Sequence, residues 1–357
     1  MTAIPNSRPH ISSLEWRQFE RVGAWLVLLG VFTTLFGLSW DVDWHSKVGP
    51  DTFWTLPHIF VYSGAALTGF AALTVVLIAT FSPHQADWIS ILGGRFHAPL
   101  GFIVAGFGAF GFLSFGLFDQ WWHTIFGFDV SISSPPHLGL ILSDILSMVG
   151  CALIFARGQR THTVGISIAS GLAVAFTLPF VIAIFSDFGF MLPLLGLQAV
   201  LIPLAMLFVV SSSRQPLAAL LMALALVGFR WLAELVFPSM TAAYADSLGF
   251  STRDGSSLSP ELPVLIPVLS LAAGLAVSAL LSFWKARKLP IGWGVLLAGL
   301  LAAPTLYLDS SLIPMQGEGL LLLIPIALAG ALSAWLGWQL GVVARNANPE
   351  PLARANP

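Results

Sequence analysis

Long apolar runs broken by short polar stretches govern this chain from residue 20 to residue 344. The runs fall near 20–40, 57–81, 98–118, 136–156, 164–186, 191–211, 216–237, 262–284, 290–308 and 318–344. An α-helix rises 1.5 Å per residue, so about 20 apolar residues cross the ~30 Å hydrocarbon core of a bilayer. The pattern predicts an all-α fold, a polytopic transmembrane helical bundle of about ten spans. The fifth and sixth runs are divided only by SDFGF (186–190), and the ninth holds Pro304, so these boundaries are the softest. No small-residue cleavage site follows the first run, which is expected to be a retained helix rather than a signal peptide.

Composition sharpens the class. Of 357 residues 57% are hydrophobic and 9% charged, against about 25% charged in soluble domains. A net charge of -2 leaves no basic footprint and excludes nucleic acid as a partner. The single cysteine, Cys151, makes no intrachain disulfide and reads as a small buried hydrophobe.

Lysine and arginine set the orientation. With a cytoplasmic N-terminus, twelve of the fifteen fall on the cytoplasmic side, against Lys47 and Arg253 on the other, and Arg230 within a span. That bias predicts both termini in the cytoplasm and a location in the cytoplasmic (inner) membrane. The outer loop 238–261, rich in Gly, Ser and Pro, reads as irregular structure, and 346–357 as a polar tail.

Two outer junctions carry chemistry. FGLSWDVDWH (36–45) recurs as FGLFDQWWH (115–123). Asp41 and His45 correspond to Asp119 and His123, and Trp44 to Trp122. LPH then ends at His58 and PPH at His137, giving D-x3-H-x12-H and D-x3-H-x13-H. Spacing of i, i+4 puts each Asp and His on one helix face. Pro57 and Pro136 suit the first turn of a helix, so His58 and His137 open the returning helices. Imidazole with carboxylate suits Cu(II), Zn, Fe or Ni better than Mg or Ca. One such motif fits a solvated loop with interfacial tryptophans equally well; its recurrence favours metal.

Other polar residues are assigned beside these. Tyr62, one turn after His58, is a hydrogen-bond donor to the site or an interfacial residue. Asp144, two turns after His137 on the same face, is a partner behind the ligands, part of a proton path, or an ion pair with Arg230. Arg230 and Glu234, at i and i+4, form a structural ion network. Asp43, Asp51 and Asp129 read as solvated residues flanking the motifs. His10, His84, His97 and His162 fall on the far side of the membrane, and Met315 is a weak soft-metal contact.

The motifs resemble one membrane-embedded subunit of the copper membrane monooxygenases, the particulate methane and ammonia monooxygenases. The first copy is similar to that subunit's Asp-His-His copper motif, implying Asp41, His45 and His58 as ligands. The second, DQWWHT followed by PPHLGL, resembles the family's NEWGHT and PLHYGF-type stretches, implying Asp119 and His123 at a neighbouring copper position. There the family's asparagine has become Asp119. The resemblance covers roughly residues 30–150 and is patchy between the motifs. It divides the chain into a four-helix metal-binding half (1–156), six further helices of unknown role (157–345) and the tail (346–357).

Three functions follow as expectations. The first is copper-dependent oxidation of a small apolar substrate by dioxygen, with further monooxygenase-type subunits or a second copy as partners. The second is non-catalytic copper binding, transport or homeostasis. The third is bis-histidine haem ligation with quinone chemistry, which the paired aspartates disfavour. Copper is the expected metal ahead of zinc or iron.

Overall fold

The computed structural model describes residues 13–49, 52–82, 88–127, 132–157, 162–187, 196–253, 262–309 and 321–346. Among these the chain forms α1 (Ser13–Lys47), α2 (Leu56–Phe81), α3 (Leu100–Phe126), α4 (Pro135–Ala156), α5 (Thr163–Asp187), α6 (Leu197–Ser213), α7 (Ala218–Leu248), α8 (Ser270–Ala286), α9 (Ile291–Tyr307) and α10 (Leu323–Asn346). Strands β1 (Ile89–Ile91) and β2 (Phe96–Ala98) pair antiparallel between α2 and α3, with Ser90 opposite His97. Seven of the described helices are long and apolar enough to cross a membrane. The protein is therefore a multi-pass bundle of membrane helices. α6, α8 and α9 have 17 residues each, the lower end of a spanning length.

Small residues set the helix spacing. Without a hydrophobic driving force between helices in lipid, close backbone approach supplies the packing. A Cβ on Gly30 of α1 would lie 2.7 Å from the Thr68 amide nitrogen and 2.8 Å from the Gly64 carbonyl of α2. A Cβ on Gly108 of α3 would meet the Ser147 amide and lie 2.7 Å from the Ser143 carbonyl of α4. These crossings correspond. Gly30 and Gly108 each stand eleven residues before the motif aspartate, and Thr68 and Ser147 each ten after the returning histidine. Deeper, Gly23 crosses at Val75 and Gly101 at Ile154, again at matched offsets. The repeat is thus two whole helical hairpins, α1–α2 and α3–α4.

The hairpins lie side by side. Gly69 of α2 approaches Ala109 of α3, and Gly106 of α3 approaches Ala72 of α2, each at 3.4 Å from an added Cβ. At the opposite end from the motifs, Arg157 pairs with Glu20 at 2.9 Å. His97 also lies there, in β2 before α3, bonded through Nδ1 to Ser90 Oγ at 2.7 Å. In the second half, α10 packs closely on α6 and α9, with Gly330 against Gly299 and Gly337 against the Leu204 carbonyl.

One element corrects the sequence reading. The composition of 238–261 predicts irregular structure, yet α7 continues through Pro238 to Leu248. The helix closes at Gly249, whose φ of 75° is the left-handed cap that glycine adopts freely. Arg230 and Glu234 pair within α7 at 2.7 Å, and the Arg230 guanidinium also donates to the Ile266 carbonyl.

His162 precedes α5 and packs against Phe155 with ring centroids 5.8 Å apart. Burial, and then the charge of Arg21, lower its pKa below the ordinary 6.5. The unfolded chain therefore takes up this proton first as pH falls. The stability it contributes is complete above pH 6.5 and is lost as pH drops through the lower folded value. The thermal midpoint in detergent is expected to fall below that pH, and less steeply in His162→Asn; equal slopes would remove His162 as the cause.

Candidate metal centres

Each hairpin carries its ligands where its two helices meet. In α1 the i, i+4 pair Asp41 and His45 falls in the last two turns. α2 opens with Thr55 as N-cap and Pro57 in its first turn, which places His58 one residue further on. α4 repeats the device: the Ser134 side chain accepts from the His137 amide, and two prolines occupy the first positions.

The three groups of each motif converge. His45 Nε2 lies 3.6 Å from Asp41 Oδ2, and His58 Nε2 lies 3.4 Å from Asp41 Oδ1. In the second hairpin, His123 Nε2 lies 3.2 Å from Asp119 Oδ2 and His137 Nε2 3.4 Å from Asp119 Oδ1. In each cluster one ligand atom from every residue lies within 4.8 Å of the others. Each carboxylate stands between two imidazoles.

These separations fit ligands of one ion. A tetrahedral ion with bonds near 2.1 Å holds its donor atoms about 3.4 Å apart. A charge-assisted hydrogen bond from imidazole to carboxylate would sit nearer 2.8 Å. Asp41 Oδ1 and Asp119 Oδ1 are both buried without a hydrogen-bond partner, although buried carboxylate oxygens are normally satisfied. A cation between the three side chains would satisfy them.

Backbone carbonyls orient one imidazole in each cluster. His58 Nδ1 meets the Thr52 carbonyl at 3.0 Å, and His123 Nδ1 meets the Gly127 carbonyl at 2.9 Å. A proton on Nδ1 leaves Nε2 with its lone pair toward the centre, the tautomer a metal requires.

Tyr62 lies beside His58 with ring centroids 6.0 Å apart, stacked on Phe53 at 4.9 Å. It also fills the space over Gly116 of α3, where an added Cβ would lie 2.6 Å from Tyr62 Cε1. Gly116 is one turn before Asp119, so Tyr62 stands between the two hairpins at the level of the clusters. Asp144 is buried in the face of α4 that also holds Ile141, Met148 and Cys151. Its Oδ2 has no hydrogen-bond partner. The Asp144–Arg230 ion pair does not form, because Arg230 is engaged by Glu234 and Ile266.

Asp43 corrects the reading of the flanking acids. Its place beside the motif predicts a solvated mouth, but it is fully buried and pairs with Lys47 at 2.6 Å. Thr241 of α7 donates to Asp43 Oδ2 at 2.7 Å, and Trp40 Nε1 donates to Thr241 at 3.1 Å. Opposite charges at i, i+4 are the available signal for the pair; nothing local points to Thr241. The tryptophans divide: Trp40 and Trp44 are core residues, while Trp54 and Trp121 are exposed. Asp51, Asp129, His10, His84 and Met315 lie outside the described residues.

No family model, curated protein or solved structure matches this chain.

Proposed function

We propose that this chain is an integral membrane copper-binding protein of the copper membrane monooxygenase type. The carrying observation is the pair of Asp-His-His clusters, built by two corresponding hairpins and spaced for one ion each. Asp41, His45 and His58 hold the first ion, and Asp119, His123 and His137 the second. Two neutral imidazoles and one carboxylate give each site a single negative charge and a donor set that suits Cu(II). Copper supplies one-electron and dioxygen chemistry when bound. Haem fits this arrangement less well, because a carboxylate closes each histidine pair.

Ten spans with both termini in the cytoplasm put the clusters near the extracytoplasmic face. The reaction, oxidation of a small apolar substrate by dioxygen, rests on the resemblance of the two motifs to the monooxygenase subunit. A groove of about 350 Å³ between α2 and α3, lined by Phe70, Leu73, Phe107, Phe110 and Leu113, supports an apolar substrate arriving from lipid. Leu113 is six residues, about 9 Å, from Asp119 along α3. Electrons come from a separate donor, and monooxygenase-type subunits or a second copy complete the assembly.

Metal analysis of the full-length protein in a lipid-retaining detergent tests the reading. Two copper equivalents per chain are expected. His45→Ala/His58→Ala and His123→Ala/His137→Ala should each lose one. Stoichiometric zinc in place of copper would end the redox reading, and no stoichiometric metal after copper loading would end the metal reading. Copper bound without oxygen consumption by any small hydrocarbon or amine would leave copper handling as the function.

A further inference from the structure

We infer that the end of α7 from Thr241 to Tyr244, followed by Arg253, is a positioning clamp for the first centre and not for the second. This assigns a task to the second half of the chain, and it rests on the metal reading above.

The last two turns of α1 are held from behind. Successive helical residues are about 100° apart, so Asp43 points roughly opposite Asp41. Asp41 and His45 face α2, while Asp43 and Lys47 face α7. The Asp43 carboxylate is bound on both oxygens, by Lys47 at 2.6 Å and by Thr241 at 2.7 Å. The same Thr241 hydroxyl accepts from Trp40 Nε1 at 3.1 Å, one turn before Trp44. A buried charge has little freedom to move, because displacement from its partners leaves it uncompensated.

α2 is held by the same element. The Tyr244 hydroxyl accepts from the Leu56 amide at 3.1 Å, at the first residue of α2 and two before His58. The Tyr244 ring packs on Trp44 at 4.9 Å and on Trp40 at 6.0 Å. Beyond α7, the Arg253 amide donates to the Lys47 carbonyl at 2.7 Å. The Arg253 guanidinium covers Gly49, where any Cβ would collide with it. Both ends of the turn between the first-site ligands are thus fixed to one partner.

Among the described residues the second hairpin has no such device. By the offset that aligns Asp41 with Asp119, Asp43 corresponds to Trp121 and Lys47 to Ile125. Both are exposed, at 53% and 55%. The back of α3 that matches the clamped back of α1 is an apolar surface suited to lipid. Hydrogen-bonded residues behind metal ligands typically change affinity 10–100-fold when removed, so the two centres should respond differently to changes in α7.

The test isolates each centre. His123→Ala/His137→Ala leaves the first, and His45→Ala/His58→Ala leaves the second. Each full-length protein is titrated with copper(II) alone against a chelator, with and without Thr241→Val/Tyr244→Phe. At least a tenfold loss of affinity is expected at the first centre and less than threefold at the second. Thr241→Ser, which keeps the hydroxyl, should retain first-centre affinity. No loss at the first centre, or equal loss at both, overturns the clamp. Hydrogen exchange on the metal-free protein decides it independently of copper. Exchange over residues 41–58 should rise in Thr241→Val/Tyr244→Phe, and exchange over 119–137 should not; equal behaviour of the two segments overturns it. If neither isolated centre binds copper while exchange remains asymmetric, the metal reading fails and the clamp stands as a structural device.

Discussion

Asp41→Ala and Asp119→Ala are each expected to empty one centre while the other keeps its ion. Each aspartate is the residue shared by both histidines of its cluster, with separations of 3.2 to 3.6 Å. Removing it takes away one ligand and the negative charge together, leaving two imidazoles on different helices. The expected loss is at least 100-fold in affinity, about 2.8 kcal/mol or more at 1.4 kcal/mol per tenfold. Copper titration of each single variant, with metal counted by mass spectrometry, reads it. Asp119→Asn separates shape from charge. It keeps an oxygen ligand and restores the residue found at this position in the copper membrane monooxygenases, so it should weaken the second centre less than Asp119→Ala does. Equal effects of Asn and Ala would show that the charge, and not the oxygen, holds the ion. Two equivalents retained in both alanine variants would remove the aspartates from the ligand set.

The second large effect is steric. Gly108→Leu and Gly30→Leu are each expected to force their hairpin apart. A side chain at Gly108 meets the backbone at Ser147 and Ser143, and one at Gly30 meets the backbone at Thr68 and Gly64. Backbone in a helix cannot yield as a flexible side chain does. Overpacking a tight contact costs about 1–3 kcal/mol and sometimes more. A leucine against backbone should stand at the upper end of that range. A bundle with a total stability of about 5–15 kcal/mol loses much of its margin. Thermal unfolding in detergent should shift down by many degrees in both variants, with weaker metal retention in the affected hairpin. Gly228→Ala is the control. An added Cβ there meets nothing within 4 Å, and alanine favours a helix over glycine by about 1 kcal/mol, so it should be neutral or stabilising. A Gly108→Leu protein as stable as the parent would mean that the α3–α4 crossing is wider than described.

The membrane class and the two ligand sets were legible because both depend on short-range pattern. Apolar runs define membrane helices whatever their neighbours are. Asp41 with His45, and Asp119 with His123, share a face by helix geometry alone, and a proline one residue earlier marks where each returning histidine enters its helix. The fate of the flanking acids was not legible. Asp41 and Asp43 are two positions apart in one motif, and sequence treats them alike as acids near a junction. Their difference arises because Thr241, 198 residues away, lies behind one of them.

The sequence by itself determined that the chain crosses a membrane, that one hairpin pattern occurs twice, and which six side chains form the two clusters. Helical periodicity and the length of the hydrocarbon core are local constraints, and they act before any helix meets another. Only the tertiary structure decided that Asp43 and Lys47 form a buried pair, that Tyr62 lies between the hairpins over Gly116, and that α7 extends past Pro238 to grip the first centre. Each of those depends on which backbones approach closely enough to exclude lipid and water. That is settled by glycine-sized gaps between helices far apart in the chain, where no local pattern reaches.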